Sequence, residues 1–174
     1  FRLAHGEALN RFRCAVKRPM YHSGAVYPED AAGTRQMILE FCESAPMVAA
    51  GLDTGRLVGM LSPHIDFARG GRTYAETWQT ATGDLSGIER VILLGTDHVG
   101  GSATITLTHQ NYATPFGTLS TDTDLVERLA GALGEESAYA EELHHRSEHS
   151  IELASVWMHC FAESNPPLMV PILC

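Results

Sequence analysis

The chain has 174 residues, 44% of them apolar and 19% charged, with no biased tract, which suits one globular domain with a core of its own. Twelve basic against 21 acidic residues leave a net charge of −9, which argues against a nucleic-acid backbone or an anionic membrane as the main partner. The densest apolar run, Val91-Ile92-Leu93-Leu94, falls far short of the roughly 18 residues a spanning helix needs, so an integral membrane protein is excluded.

Residues 1–20 read as an irregular, basic lead-in carrying Arg2, Arg11, Arg13, Lys17 and Arg18, and residues 21–174 as one α/β domain. Tyr27-Pro28-Glu29-Asp30 opens a helix over 31–44 with Asp30 as its cap, and Met37, Ile38, Phe41 and Cys42 mark its buried face. Residues 51–56 form a turn, Leu57–Leu61 a short apolar strand ended by Pro63, and a helix follows Gly70-Gly71 from about Thr73 to Thr82. Arg90–Leu94 is nearly all apolar, as in a strand covered on both faces, and it stops at Gly95.

Thr104–Thr108 alternates like a half-buried strand, and Tyr112–Leu119, with Pro115 and Gly117, suggests a hairpin. Thr121-Asp122-Thr123-Asp124 resembles a capping box, with Asp in the Glu position, before a helix marked by Leu125, Val126, Leu129 and Leu133. A deeply packed helix runs from about Glu148 to Phe161 with Ser147 as N-cap, and Leu168–Leu173 is a strand. Alternating helices and apolar strands predict a three-layer α/β/α domain around a mainly parallel or mixed sheet. The chain starts without Met and stops directly after a strand, so it reads as a fragment truncated at its C-terminus.

Four cysteines, at 14, 42, 160 and 174, form no C-x-x-C pair, so free thiols in a reducing, cytoplasmic setting are the expectation. Nine histidines are the unusual count. Ligands gather at the carboxyl ends of strands in open α/β sheets, and two histidines follow strands there: His64 after 57–61 and His98 after 90–94. Either alone reads as a loop histidine; as a pair in matching positions they favour a site. His145 and His149 have the i, i+4 spacing of one helix face, but His145 precedes the helix, and a solvated polar loop suits His144 and His145 better than His149, which projects from the helix start toward the strand ends.

Two His with a carboxylate or thiolate and open positions suit non-haem iron and its O2 chemistry, while three neutral His with a water suit zinc hydrolysis. Candidate carboxylates are Asp66, Asp97, Glu148 and Glu152, with Asp97 at least as well suited to a capping or supporting role. Cys160 reads as core, and Cys174 stays open. There is no G-x-S-x-G elbow, no P-loop and no G-x-G-x-x-G.

Taken in order, Gly24-Ala25-Val26-Tyr27-Pro28, Ser62-Pro63-His64, Leu94-Gly95-Thr96-Asp97-His98, Thr114-Pro115-Phe116-Gly117 with Asp122, and Glu148-His149-Ser150-Ile151-Glu152 resemble the motifs of the Memo family, also called AmmeMemoRadiSam system protein B. Val170-Pro171-Ile172-Leu173 resembles the strand that follows, and the resemblance covers about residues 22–174. It implies the fold of class III extradiol dioxygenases (LigB-like), with His64 and His98 as metal ligands and His149 as the nearby catalytic histidine.

It also implies one iron (Fe2+) or copper ion per chain, with zinc less favoured, redox or dioxygenase-like activity, and a radical-SAM protein as a candidate partner. The family's third ligand is a Cys from a later segment, to which nothing here corresponds. Ile65-Asp66-Phe67 after Pro63-His64, and Asp97 and Val99 around His98, depart from the family pattern. A second function from the same resemblance is a non-catalytic adaptor whose cleft takes a peptide or small anionic ligand, with Arg69 and Arg72 as anion partners or, more simply, solvated surface residues.

Overall fold

The computed structural model describes residues 2–45, 58–81, 85–162 and 164–174, apart from the side chains of residues 2 and 86. Six helices and five strands are formed there: α1 (Arg2–Cys14), α2 (Ala31–Ser44), α3 (Phe67–Gln79), β1 (Arg90–Gly95), β2 (Thr106–Leu107), β3 (Tyr112–Thr114), β4 (Gly117–Leu119), α4 (Thr123–Leu133), α5 (Glu135–Ala138), α6 (His149–Ala162) and β5 (Leu168–Leu173). The architecture is mixed α/β. A three-stranded sheet has the order β1-β5-β2, with β1 parallel and β2 antiparallel to β5, and β3 and β4 form a separate hairpin.

The core is built around α6, whose residues from Ser150 to Cys160 are all buried. Trp157 stacks on Tyr74 with ring centroids 5.4 Å apart and meets the edge of Phe67 at 5.9 Å. Burying three such aromatics against one another contributes several kcal/mol through apolar area alone, at roughly 25 cal/mol per Å². β5 is buried from Met169 to Leu173 and separates this core from a smaller one of Leu107, Val126, Ala130, Ala138, Val170 and Ile172.

Helix α2, its Asp30 cap bonded to the Gly33 amide, the Tyr112–Leu119 hairpin, α6 and β5 lie where the sequence puts them. Several other elements differ. The lead-in is not irregular: residues 2–14 are helical, because Ala, Leu, Arg and Glu are good helix formers and Phe12 finds a buried place for its ring. Helix α3 starts at Phe67, capped by Asp66, and runs through Gly70-Gly71 instead of beginning after them.

Those glycines serve packing rather than termination. A Cβ on Gly71 would come within 2.4 Å of the Phe41 ring of α2, and one on Gly70 within 2.3 Å of Ile65. The buried stripe Phe67, Gly70, Gly71, Tyr74, Ala75 and Trp78 keeps strict helical spacing through the pair.

Residues 51–57 lie outside the described residues. Residues 58–61 form no strand, and Val58 and Leu61 are exposed. With Gly59 at the centre of the run, few side chains are left to hold a ladder. β1 is not covered on both faces, since Ile92 and Leu94 are exposed among the described residues. Thr104–Thr108 shrinks to the two-residue β2. The cap of α4 is Asp122, which accepts from Leu125 N, rather than Thr121.

Candidate functional site

The carboxyl end of β1 and the first turn of α6 are pressed together, and the sequence allows it at one residue. A Cβ on Gly95 would lie 2.5 Å from Ile151 Cγ1 and 2.6 Å from Ser150 Oγ. Without a side chain there, the Ser150 hydroxyl donates to the Thr96 carbonyl at 2.9 Å. His98, three residues past β1, therefore meets His149, the first residue of α6: their rings stack with centroids 4.5 Å apart.

His64 arrives from the other side. The stretch before α3 is tied down by Trp78 Nε1 donating to Ser62 Oγ at 3.0 Å and by the Tyr74 hydroxyl donating to the Ile65 carbonyl at 3.2 Å. The His64 ring centroid then lies 5.1 Å from that of His98 and 5.8 Å from that of His149. One potential ligand atom from each of the three histidines lies within 4.8 Å of the other two. They line a cleft of about 620 Å³ together with His22, Val26, Pro63, Ile65, Asp66, Arg69 and Leu153.

Glu148 sets this arrangement. It is buried, and its Oε1 accepts from the amides of His149 and Ser150 at 2.7 and 3.0 Å, while Oε2 accepts from the His98 amide at 2.9 Å. It thus satisfies the open N–H groups at the start of α6, the part the sequence assigns to Ser147. Oε1 also lies 3.0 Å from His98 Nδ1 and 3.1 Å from His149 Nδ1. Burial works to raise its pKa, but the hydrogen bonds from Ser150 and His98 outweigh it and hold the carboxyl at about 2. Burial likewise pushes the His149 pKa down, with the neighbouring His98, His22 and His64 adding to the effect and Glu148 opposing it.

The other candidates have different places. His145 does not pair with His149. It sits in a 3-10 turn (142–146) ahead of α6 and points into the core, so the i, i+4 spacing does not put the two on one helix face. Its Nε2 donates to the Thr106 carbonyl at 3.0 Å, so Nδ1 accepts from the Tyr112 hydroxyl at 2.8 Å. Burial lowers its pKa to about 4.

Asp97 accepts from His144 Nδ1 at 2.7 Å and from the Val99 amide at 3.0 Å, a supporting position turned away from the three histidines. Asp66 caps α3 and pairs with Arg69, and Arg72 pairs with Glu76. Glu152 is buried against Arg18, with 2.6 Å between Arg18 Nη2 and Glu152 Oε2. Cys160 is buried in α6, and Cys174 is exposed at the end of β5.

The sequence reading missed His22. Its ring meets His149 edge-on at 5.8 Å and its Nε2 donates to the Ser147 carbonyl at 2.9 Å. Its amide is held by Glu152 at 2.8 Å. The one available signal was its position two residues ahead of the Gly24–Pro28 motif.

A model of the family described as Memo-like protein matches residues 18–174. The chain belongs to the Memo-like family. A MEMO1 family protein of Methanopyrus kandleri is 31% identical over 139 residues, which cover 75% of this chain and 47% of that relative. Another, of Methanosarcina barkeri, is 28% identical over 97 residues, covering 56% of this chain and 34% of its own length. The Memo-like chain thus spans between a third and a half of the curated relatives it matches. Among its described residues, no helix is long and apolar enough to cross a membrane.

Proposed function

We propose that this Memo-like chain carries a non-haem metal site, one iron or copper ion per chain, with His64 and His98 as ligands and His149 completing the cleft. The convergence of the three histidines on one point supports it most directly. The donor set fits such an ion: imidazole suits iron and copper, and His98 is backed by a carboxylate on Nδ1, the outer hydrogen bond that usually accompanies a metal-bound histidine. When bound, the ion supplies redox or dioxygenase-like chemistry.

The chain's own residues do the rest. Glu148 orients the rings, Gly95 lets strand and helix close on each other, and Pro63, Val26 and Leu153 give the cleft apolar walls beside the polar centre. The three-layer arrangement of class III extradiol dioxygenases is part of the same proposal. The adaptor reading depends on Arg69 at the rim of the cleft. That guanidinium is already engaged by Asp66, which leaves the metal reading ahead.

Metal analysis of the chain purified without oxygen, beside a His64→Ala/His98→Ala double variant, tests this. Near one iron or copper per chain, lost in the variant, is the expected result. A wild type that neither retains nor takes up either ion overturns it.

A further inference from the structure

Gln110 has one polar atom left over. Its amide donates to Thr108 Oγ1 at 3.1 Å and its carbonyl accepts from Thr121 Oγ1 at 2.7 Å. Its Nε2 donates to the carbonyls of Arg13 and Ala15 at 3.1 and 3.3 Å, at and just past the end of α1, so the side chain closes that helix. Turning the side-chain amide over would set its oxygen against both carbonyls, so Oε1 is the end that stays open. Among the described residues it is a buried acceptor without a partner, in a residue 6% exposed. Native folds rarely leave such an acceptor empty.

Gln110 lines a cavity of about 330 Å³ together with Arg13, His109, Tyr139 and Glu142, none of which belongs to the histidine cleft. The His109 and Tyr139 rings stack with centroids 5.1 Å apart and give the cavity an aromatic wall. Glu142 is buried, and it accepts from Thr108 Oγ1 at 2.9 Å and from Arg13 Nε, so the guanidinium of the cavity is already engaged. The charges that act on the wall are mainly negative. Burial first, and then the carboxylates of Glu142, Glu127 and Glu135, push the Tyr139 hydroxyl up to about 12, against the opposing Arg13.

We propose that this cavity is a binding site for a small primary amine in its ammonium form, which donates N–H to Gln110 Oε1 and sets its charge against the aromatic wall. An ammonium answers each of these features: it has N–H donors for the open acceptor, a positive charge for the carboxylates, and a cation for the face of Tyr139. A carboxylate or phosphate would meet the same carboxylates, with Arg13 already on Glu142. A neutral amide donates to Oε1 but gains nothing from the charges around it. The volume, at the low end for ligand pockets, limits the amine to a short chain.

The test titrates the 174-residue chain at neutral pH with n-butylammonium, with tetramethylammonium and butyrate as controls of similar size. Saturable binding of n-butylammonium is expected by calorimetry, with a Kd of about 1 mM or tighter. The Gln110 side-chain NH2 signals are expected to shift, and the ligand methylenes to show nuclear Overhauser contacts to the Tyr139 ring. Tetramethylammonium keeps the charge but has no N–H, and is expected to bind at least about 10-fold more weakly, the usual value of a hydrogen bond with a charged partner. Butyrate is expected not to bind.

Gln110→Leu is expected to lose at least about 10-fold in amine affinity. Because Gln110 also closes α1, Tyr139→Leu is measured beside it, with an expected loss of about threefold or more from the missing ring face. The His64→Ala/His98→Ala variant is expected to bind the amine as the wild type does, which separates this site from the histidine cleft. No saturable amine binding, tetramethylammonium bound as tightly as n-butylammonium, butyrate bound as tightly as either, or binding lost in the His64→Ala/His98→Ala variant overturns the proposal.

Discussion

Two glutamates one turn apart, Glu148 just ahead of α6 and Glu152 in its first turn, are buried to nearly the same degree and solve the problem of a buried charge in opposite ways. Glu152, 1% exposed, faces Arg18, 0% exposed, and gathers the Tyr27 hydroxyl and the amides of Tyr21 and His22 on the same carboxylate. Glu148, 4% exposed, is held by backbone amides and two imidazoles, without a guanidinium on its carboxylate among the described residues. The first arrangement anchors the segment from Arg18 to Tyr27 to the core. The second holds the start of α6 and two imidazole rings of the cleft on one carboxylate. A fixed ion pair makes an anchor, and a carboxylate on N–H groups makes a frame.

The contrast breaks most visibly at Arg18. Besides Glu152, its guanidinium donates to the carbonyls of His145, Glu148 and Pro19 and lies over the Tyr112 ring. Arg18→Ala strands a buried carboxylate and several acceptors, and a loss of about 3–5 kcal/mol of stability is expected from urea unfolding. Glu148→Gln in the same assay is expected to lose less, because the amide oxygen still accepts from the backbone.

The anchor region also carries an acid sensitivity of its own. His145 is neutral in the fold with a pKa near 4, against 6.5 in the unfolded chain, so below pH 6.5 the unfolded state binds a proton that the folded state refuses. Stability is complete above about pH 6.5 and falls as the pH drops towards 4, by up to about 3 kcal/mol at roughly 1.4 kcal/mol per pKa unit. Urea midpoints at pH 7.5 and pH 5 should separate in the wild type and draw together in His145→Gln. Equal separation in both would assign the acid sensitivity to other groups.

The smallest expected effect sharpens the cleft side. Asp66 holds the Arg69 amide at 3.1 Å as the cap of α3, two residues from His64. Asp66→Ala is expected to cost about 1 kcal/mol of stability, the usual loss of a cap. An unchanged urea midpoint would show that the backbone alone sets the start of α3.

The pieces legible in the sequence were those whose cause is local. Asp30 before α2, the apolar run of β1, the Pro115–Gly117 hairpin and the mostly apolar helix α6 each follow from neighbours in the chain. The positions of His64 and His98 could be read because strand ends are where an α/β sheet puts ligands, although the expected strand before His64 is not formed over 58–61.

What escaped depends on distant partners. Gly70-Gly71 looks like a break until Phe41 and Ile65 occupy the space beside it. His22 enters the cleft because Glu152, 130 residues away, holds its amide. The solvated loop read for His145 gives way to a turn that points it inward, onto Thr106 and Tyr112.

Because a single oxygen of Glu148 accepts both the first amides of α6 and the back edges of two histidine rings, the end of the helix and the floor of the cleft are one cooperative unit. Fraying of that first turn would break contacts that hold both rings. A ligand that fixes the two rings therefore also favours the closed first turn of α6.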